Sequence, residues 1–149
     1  MRSVLLRTFL ILTLMNAVLP AAIKDIRHLP VYFEPNRGQV DSAVKFVART
    51  PGHTVFLTGS GAVLSTKGHA PIRMQFHGAS KRDKAEGVDR VPAVSNYFAG
   101  NRPSEWRTGV PQFGKVRYAQ VYPGIDVIYY GSGQKLNTTW WWLRGQIRV

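Results

Sequence analysis

The sequence predicts an all-β domain of mainly antiparallel, sandwich- or barrel-like sheets, with one short helical turn and an N-terminal signal-peptide helix. Three observations predict it. Between Ile23 and Leu136 there is almost no helical periodicity. Short β-branched and aromatic runs alternate with Gly- and Pro-containing turns, the cadence of antiparallel sheets. The 149 residues are 44% hydrophobic and 19% charged, which suits one globular domain rather than a disordered chain.

The first element is an export signal. Arg2 and Arg7 precede an apolar run from Thr8 to Leu19, and the small residues Ala21 and Ala22 follow. That order is the basic, apolar and cleavage regions of a secretory leader. The run is too short to cross a hydrocarbon core of about 30 Å as a helix, so no transmembrane span is expected. The expected divisions are a signal peptide at 1–22, a β-rich domain at 23–136 and a tail at 137–149.

The strands follow in order. "VKFVART" sets Val44, Phe46 and Ala48 against Lys45, Val47 and Arg49, the alternation of a half-buried strand. "TVFLTG" and "GAVLSTK" flank Gly59-Ser60-Gly61 and read as a hairpin. "PIRMQFHG" alternates Ile72, Met74 and Phe76 with Arg73, Gln75 and His77, the clearest period of two in the chain. Gly78 to Ala93 holds few large apolar residues and reads as a mobile surface loop. "PSEWR" reads as a helical turn with Asn101 as its cap, Pro103 in the first turn and Glu105 at the positive end. "SNYFAGN" and "GKVRYAQVYPGIDVIYYG" complete the set.

Few motifs carry chemistry. The densest polar cluster is "FEPNRGQVDS", where Glu34, Asn36, Arg37, Gln39 and Asp41 are candidate binding residues. The same stretch is good turn chemistry: Asn36 can bond its own backbone, Gly38 can take a positive φ, and Arg37 can pair with Glu34 or Asp41. Nothing fixes Glu34 and Asp41 as an acid/base pair. Trp106, one of the aromatics of the last third, joins the candidates. Tyr97, Phe98, Trp106, Tyr118, Tyr122, Tyr129 and Tyr130 crowd the last third, either as β core or as a sugar-stacking face, with core favoured. Asp126 is expected to face solvent or bond a turn.

Other classes drop out. There is no cysteine, so disulfides, thiolate metal sites and cysteine nucleophiles are excluded. His28, His53, His69 and His77 lack metal-ligand spacing, and no nucleophile elbow is present, so no catalytic residue, metal or cofactor is expected. The net charge is +12, and about +8 without the leader and tail. That balance favours anionic partners such as acidic surface polysaccharide. Lys81-Arg82-Asp83-Lys84 is too short and too mixed for a nucleic-acid patch.

From about Leu29 to Leu136 the chain resembles the N-terminal β-rich domain of exported bacterial proteins that carry beta-propeller-type (SBBP) repeats. The strings "FEPNRGQ", "NYFAGNRPSEWRTGVP" and "VYPGIDVIYYG" carry the resemblance. It implies a β fold, a secreted, periplasmic or cell-surface location and C-terminal repeat domains as the natural partner. The family it resembles is of unassigned biochemical role and brings no catalytic residues; a non-enzymatic structural or adhesive role is the leading expectation. A carbohydrate-binding or carbohydrate-active module, using the aromatic strands and the Glu34–Asp41 cluster, is the competing expectation.

The tail departs from the resemblance. After Leu136 a strand similar to "EYDLVVAPGADPG" is expected, and the chain has "NTTWWWLRGQIRV". Three tryptophans are spelled only by TGGTGGTGG, which in a shifted frame reads Val-Val. One added base before the Asn137 codon converts a permitted spelling of the whole tail into the expected string. The expectation is therefore a frameshifted, truncated chain, ordered only to about Gly131, with exposed indoles beside an open sheet edge. The rival is a Trp-rich interfacial tail, its arginines suited to anionic headgroups.

Overall fold

The structure, a computed structural model, describes residues 30–79 and 85–142. The expected signal peptide and the Lys81–Lys84 run lie outside the described residues.

Nine strands and one 3-10 turn follow in chain order. β1 is Phe33–Pro35, β2 Val44–Thr50, β3 His53–Thr58, β4 Gly61–Thr66 and β5 Ile72–Gln75. β6 is Ala85–Tyr97, followed by the turn Pro103–Glu105, then β7 Arg107–Tyr122, β8 Ile125–Ser132 and β9 Lys135–Trp142. All pair antiparallel in one sheet that curls into a half-barrel, in the order β5-β4-β3-β2-β1-β7-β8-β9, with β6 added on β7.

β7 is the spine. Its sixteen residues pair with β6 from Arg107 to Tyr118 and with β8 from Lys115 onward, while Phe113 also meets Phe33 of β1. A strand has two edges, so with β6 along one, β1 and β8 must share the other. Their ends abut: a Cβ placed on Gly131 would lie 2.7 Å from Val31 Cβ. Only glycine fits that approach.

The alternation read from sequence builds the core. Phe46 and Ala48 of β2, Val55 and Leu57 of β3, Val116 and Tyr118 of β7, and Val127 and Tyr129 of β8 point into the concave face around Phe33. Burying each large apolar side chain contributes roughly 1.5–3 kcal/mol. Edge-to-face rings, Phe46 on Phe113 and Tyr118 on Tyr129, tie the two halves.

Four expectations need correction. Ala85–Ala93 is not loop but part of β6, whose backbone bonds to β7 replace the apolar signal its exposed faces lack. Pro92, which has no N–H to give a ladder, sits where the register shifts between Val91 and Val94. The period of two at Ile72–Gln75 does form a strand, but an edge strand exposed at all four residues. The 3-10 turn begins after Arg102 rather than Asn101, with no side-chain cap; Pro103 occupies its first turn as expected.

The fourth concerns the tail. Order does not stop near Gly131: Lys135–Trp142 pairs with β8 at every position from Ser132↔Lys135 to Ile125↔Trp142. Main-chain pairing needs only donors and acceptors, so the strand forms whatever side chains it carries. Trp140 packs inward, stacked on Tyr122 and edge-on to Phe76. Trp141 and Trp142 remain 64% and 60% exposed.

Candidate functional site

Glu34 is the centre of the polar cluster, and most of its partners come from distant strands. It projects from β1 with its side chain only 13% exposed. Oε2 accepts from Arg49 Nη1 of β2 at 2.9 Å and from the Tyr97 hydroxyl of β6. Oε1 accepts from Ser95 Oγ at 2.5 Å and from Gln112 Nε2 of β7 at 3.4 Å. Gln112 also donates to Ser95 Oγ at 2.7 Å, and the Arg49 guanidinium lies 5.3 Å from the Tyr97 ring centroid. A carboxylate offers about four lone-pair directions, and this one has four donors.

Tyr97 is held as a neutral donor. Burial, then the hydrogen bond and charge of Glu34, push its pKa up to about 12, against the opposing pull of Arg49. Chemically the cluster is a staple: one carboxylate joins β1, β2, β6 and β7.

The loop after β1 is organised by Asn36. Its Nδ2 donates to the carbonyls of Val40, Asp41 and Val44 at 3.2, 2.7 and 3.0 Å. Its Oδ1 accepts from Gly38 N at 2.9 Å and Val40 N at 3.4 Å. Gln39 Nε2 donates to Pro35 O at 2.8 Å, and its Oε1 accepts from Arg37 N at 2.6 Å. Asp41 Oδ1 accepts from Ala43 N at 2.8 Å. Gly38 sits at φ 98°, with the Arg107 Nε 3.2 Å from where a Cβ would be. The expected turn chemistry is present.

The expected ion pairs of Arg37 are not. Glu34 is taken by Arg49 instead, and Asp41 serves its own loop; the backbone carbonyl of Arg37 accepts from Arg107 Nε at 3.0 Å. Sequence reading missed Arg49, Ser95, Tyr97 and Gln112 as partners of Glu34. Their separations of 15 to 78 residues leave no local pattern.

Trp106 stands beside this corner. Its Nε1 donates to Gly100 O at 3.2 Å, and its ring meets Phe98 edge-on at 5.1 Å. Both rings are exposed, and Arg102, paired with Glu105, lies on the same turn. The aromatics thus split: Tyr118 and Tyr129 are core, Tyr122 packs against it, and Phe98 and Trp106 face outward.

A second buried carboxylate lies on β8. Asp126 is 3% exposed; Oδ2 accepts from Arg117 Nε and Nη2 at 2.7 and 2.6 Å, and Oδ1 from Gln120 N at 2.7 Å. Contrary to expectation, it neither faces solvent nor bonds a turn, because its partners Arg117 and Gln120 both lie within β7. The Gln120 bond sits where β7 kinks, with Gln120 at φ 51°.

No group of three or more metal-ligating side chains occurs among the described residues, and no described helix is long and apolar enough to cross a membrane. No curated protein and no solved structure matches the chain. Residues 33–145 match the family described as a domain of unknown function (DUF7948), and the chain belongs to that family.

Proposed function

We propose that the domain is a non-enzymatic structural or adhesive module at the start of an exported bacterial surface protein, where it caps or presents the repeats that follow. The observation that carries this reading is the internal use of the polar cluster. Glu34 and Asn36, the residues best suited to chemistry, spend their hydrogen bonds on joining strands and closing a loop. A carboxylate with four donors is a poor base and a good fastener.

The reading includes a lost base before the Asn137 codon, and the β9 register supports it. Positions 136, 138, 140 and 142 pair opposite Gly131, Tyr129, Val127 and Ile125, on the concave side. Positions 137, 139 and 141 pair opposite Tyr130, Ile128 and Asp126, on the outer side. The restored string sets Leu, Tyr, Leu and Val inward and Glu, Asp and Val outward. That is a half-buried strand pattern, whereas the present frame sets Thr138 inward and Trp141 outward. Sequencing the locus tests it: an intact base count with no family-like frame downstream would sink the idea.

The exposed Phe98–Trp106 pair favours a second reading, carbohydrate binding. A glycan array on the full-length, frame-restored protein separates the two. Absence of binding supports the structural module. Binding abolished by Arg37→Ala or Trp106→Ala favours the second.

A further inference from the structure

The concave face of the half-barrel is not filled to its end. A cleft of about 520 Å³ opens between β3–β5 on one side and β8–β9 on the other. That lies within the roughly 300–1,000 Å³ of small-molecule sites, which favour the mouths of β-barrels. Its walls are apolar: Val55, Ala62, Leu64, Ile72, Met74 and Leu136. Ile72 and Met74 are 66% and 46% exposed on the lip, so an apolar occupant gains by covering them.

The walls also limit the occupant. Val55 is paired on both sides, with Ala48 and Leu64, and Ala62 is likewise flanked by Leu57 and Met74. The main-chain groups of these two floor residues are spent and offer side chains only, whereas Ile72 and Met74 lie on the edge strand β5. The occupant is therefore set by the polar groups at the rim. The rim is polar, with Thr50, His53 and Lys135. No acid lines the cleft, and Lys135 has no acid partner among the described residues. An apolar trough with a cationic mouth complements an anionic head on an apolar tail.

We propose that this cleft binds a single-chain carboxylate amphiphile, its tail against Leu64, Ile72, Met74 and Leu136 and its carboxylate at Lys135 and His53. The site is separate from the Glu34 corner, and it belongs to the chain as it stands, since the lost-base reading replaces Asn137 and Thr138 of its lining by Glu and Tyr.

Calorimetric titration of the whole chain with dodecanoate and with dodecyltrimethylammonium tests it, because the two share a tail and differ in head charge. Saturable binding of one dodecanoate per chain is expected, with the cation roughly tenfold weaker, the size of one partly desolvated charge contact. Lys135→Glu should erase or invert that preference. Ile72→Asp should weaken dodecanoate by roughly tenfold, about 1.4 kcal/mol. Both positions are exposed, so an unchanged thermal midpoint identifies a folded variant. The proposal is overturned by absence of saturable binding, by equal affinity for both heads, or by folded variants that bind as the parent does.

Discussion

The corner where β1, β2, β6 and β7 meet and the edge formed by β8 and β9 handle their side chains in opposite ways. At the corner a carboxylate is largely taken out of water and given four donors. At the edge the main chain is fully paired to β8, but all three indoles stay exposed, Trp140 the least at 48%. Backbone pairing thus decides where a strand runs, while side-chain satisfaction decides how much that strand contributes. The corner should therefore dominate stability, and most of the edge should be replaceable.

Several substitutions break or sharpen this contrast. Glu34→Ala strands Tyr97, Ser95 and Gln112 and unpairs Arg49. Because Arg49 is 43% exposed, the loss is smaller than for a fully buried pair, about 2–4 kcal/mol in urea unfolding. A loss under about 0.5 kcal/mol would remove the corner's privileged place. Asn36→Ala deletes two N–H donors shared among three loop carbonyls and should cost about 2 kcal/mol. On the edge, Trp140→Ala should cost about 1–2 kcal/mol, since its ring packs on Tyr122 and Phe76. Trp141→Ala should stay within about 0.5 kcal/mol. Equal effects at the two tryptophans would mean that exposure does not rank them.

The smallest effect at neutral pH belongs to Tyr129→Phe. The Tyr129 hydroxyl is buried without a partner among the described residues, so its removal should leave the melting temperature unchanged or raise it. Alkaline titration involves two tyrosines. Both Tyr97 and Tyr129 are pushed from 10.0 to about 12, Tyr129 by burial alone. The folded chain then holds protons that the unfolded chain has lost. Stability from this source is complete below pH 10 and falls as pH rises through about 12. Tyr97→Phe and Tyr129→Phe should each flatten that fall, seen in urea midpoints across the range.

Much of the fold was legible because it is written as alternation. Phe46 and Ala48, the two-residue hairpin between β3 and β4, and the aromatic strands β7 and β8 follow from period two and turn residues. β6 was not, because a strand exposed on both faces carries no apolar period; its warrant is the edge of β7. Within the candidate site, the role of Asn36 was legible from local turn chemistry. The partners of Glu34 were not, because nothing in residues 33–42 refers to Ser95, Tyr97 or Gln112. Arg37 looked like their substitute only because it was near in sequence.

The placement of β7 between β1 and β8 has a consequence for how the chain comes to be folded. β2 to β5 form a meander of adjacent hairpins, and each can close over short stretches as it is made. β1 cannot finish its edge until Phe113 reaches Phe33, and the Glu34 carboxylate waits for Gln112. Closing a loop of that length is entropically late, so contacts of this kind slow folding. During synthesis, the first third of the domain emerges with only Arg49, among the four partners of Glu34, within reach. It locks only when the spine strand emerges, which makes β7 the timing element of the domain as well as its centre.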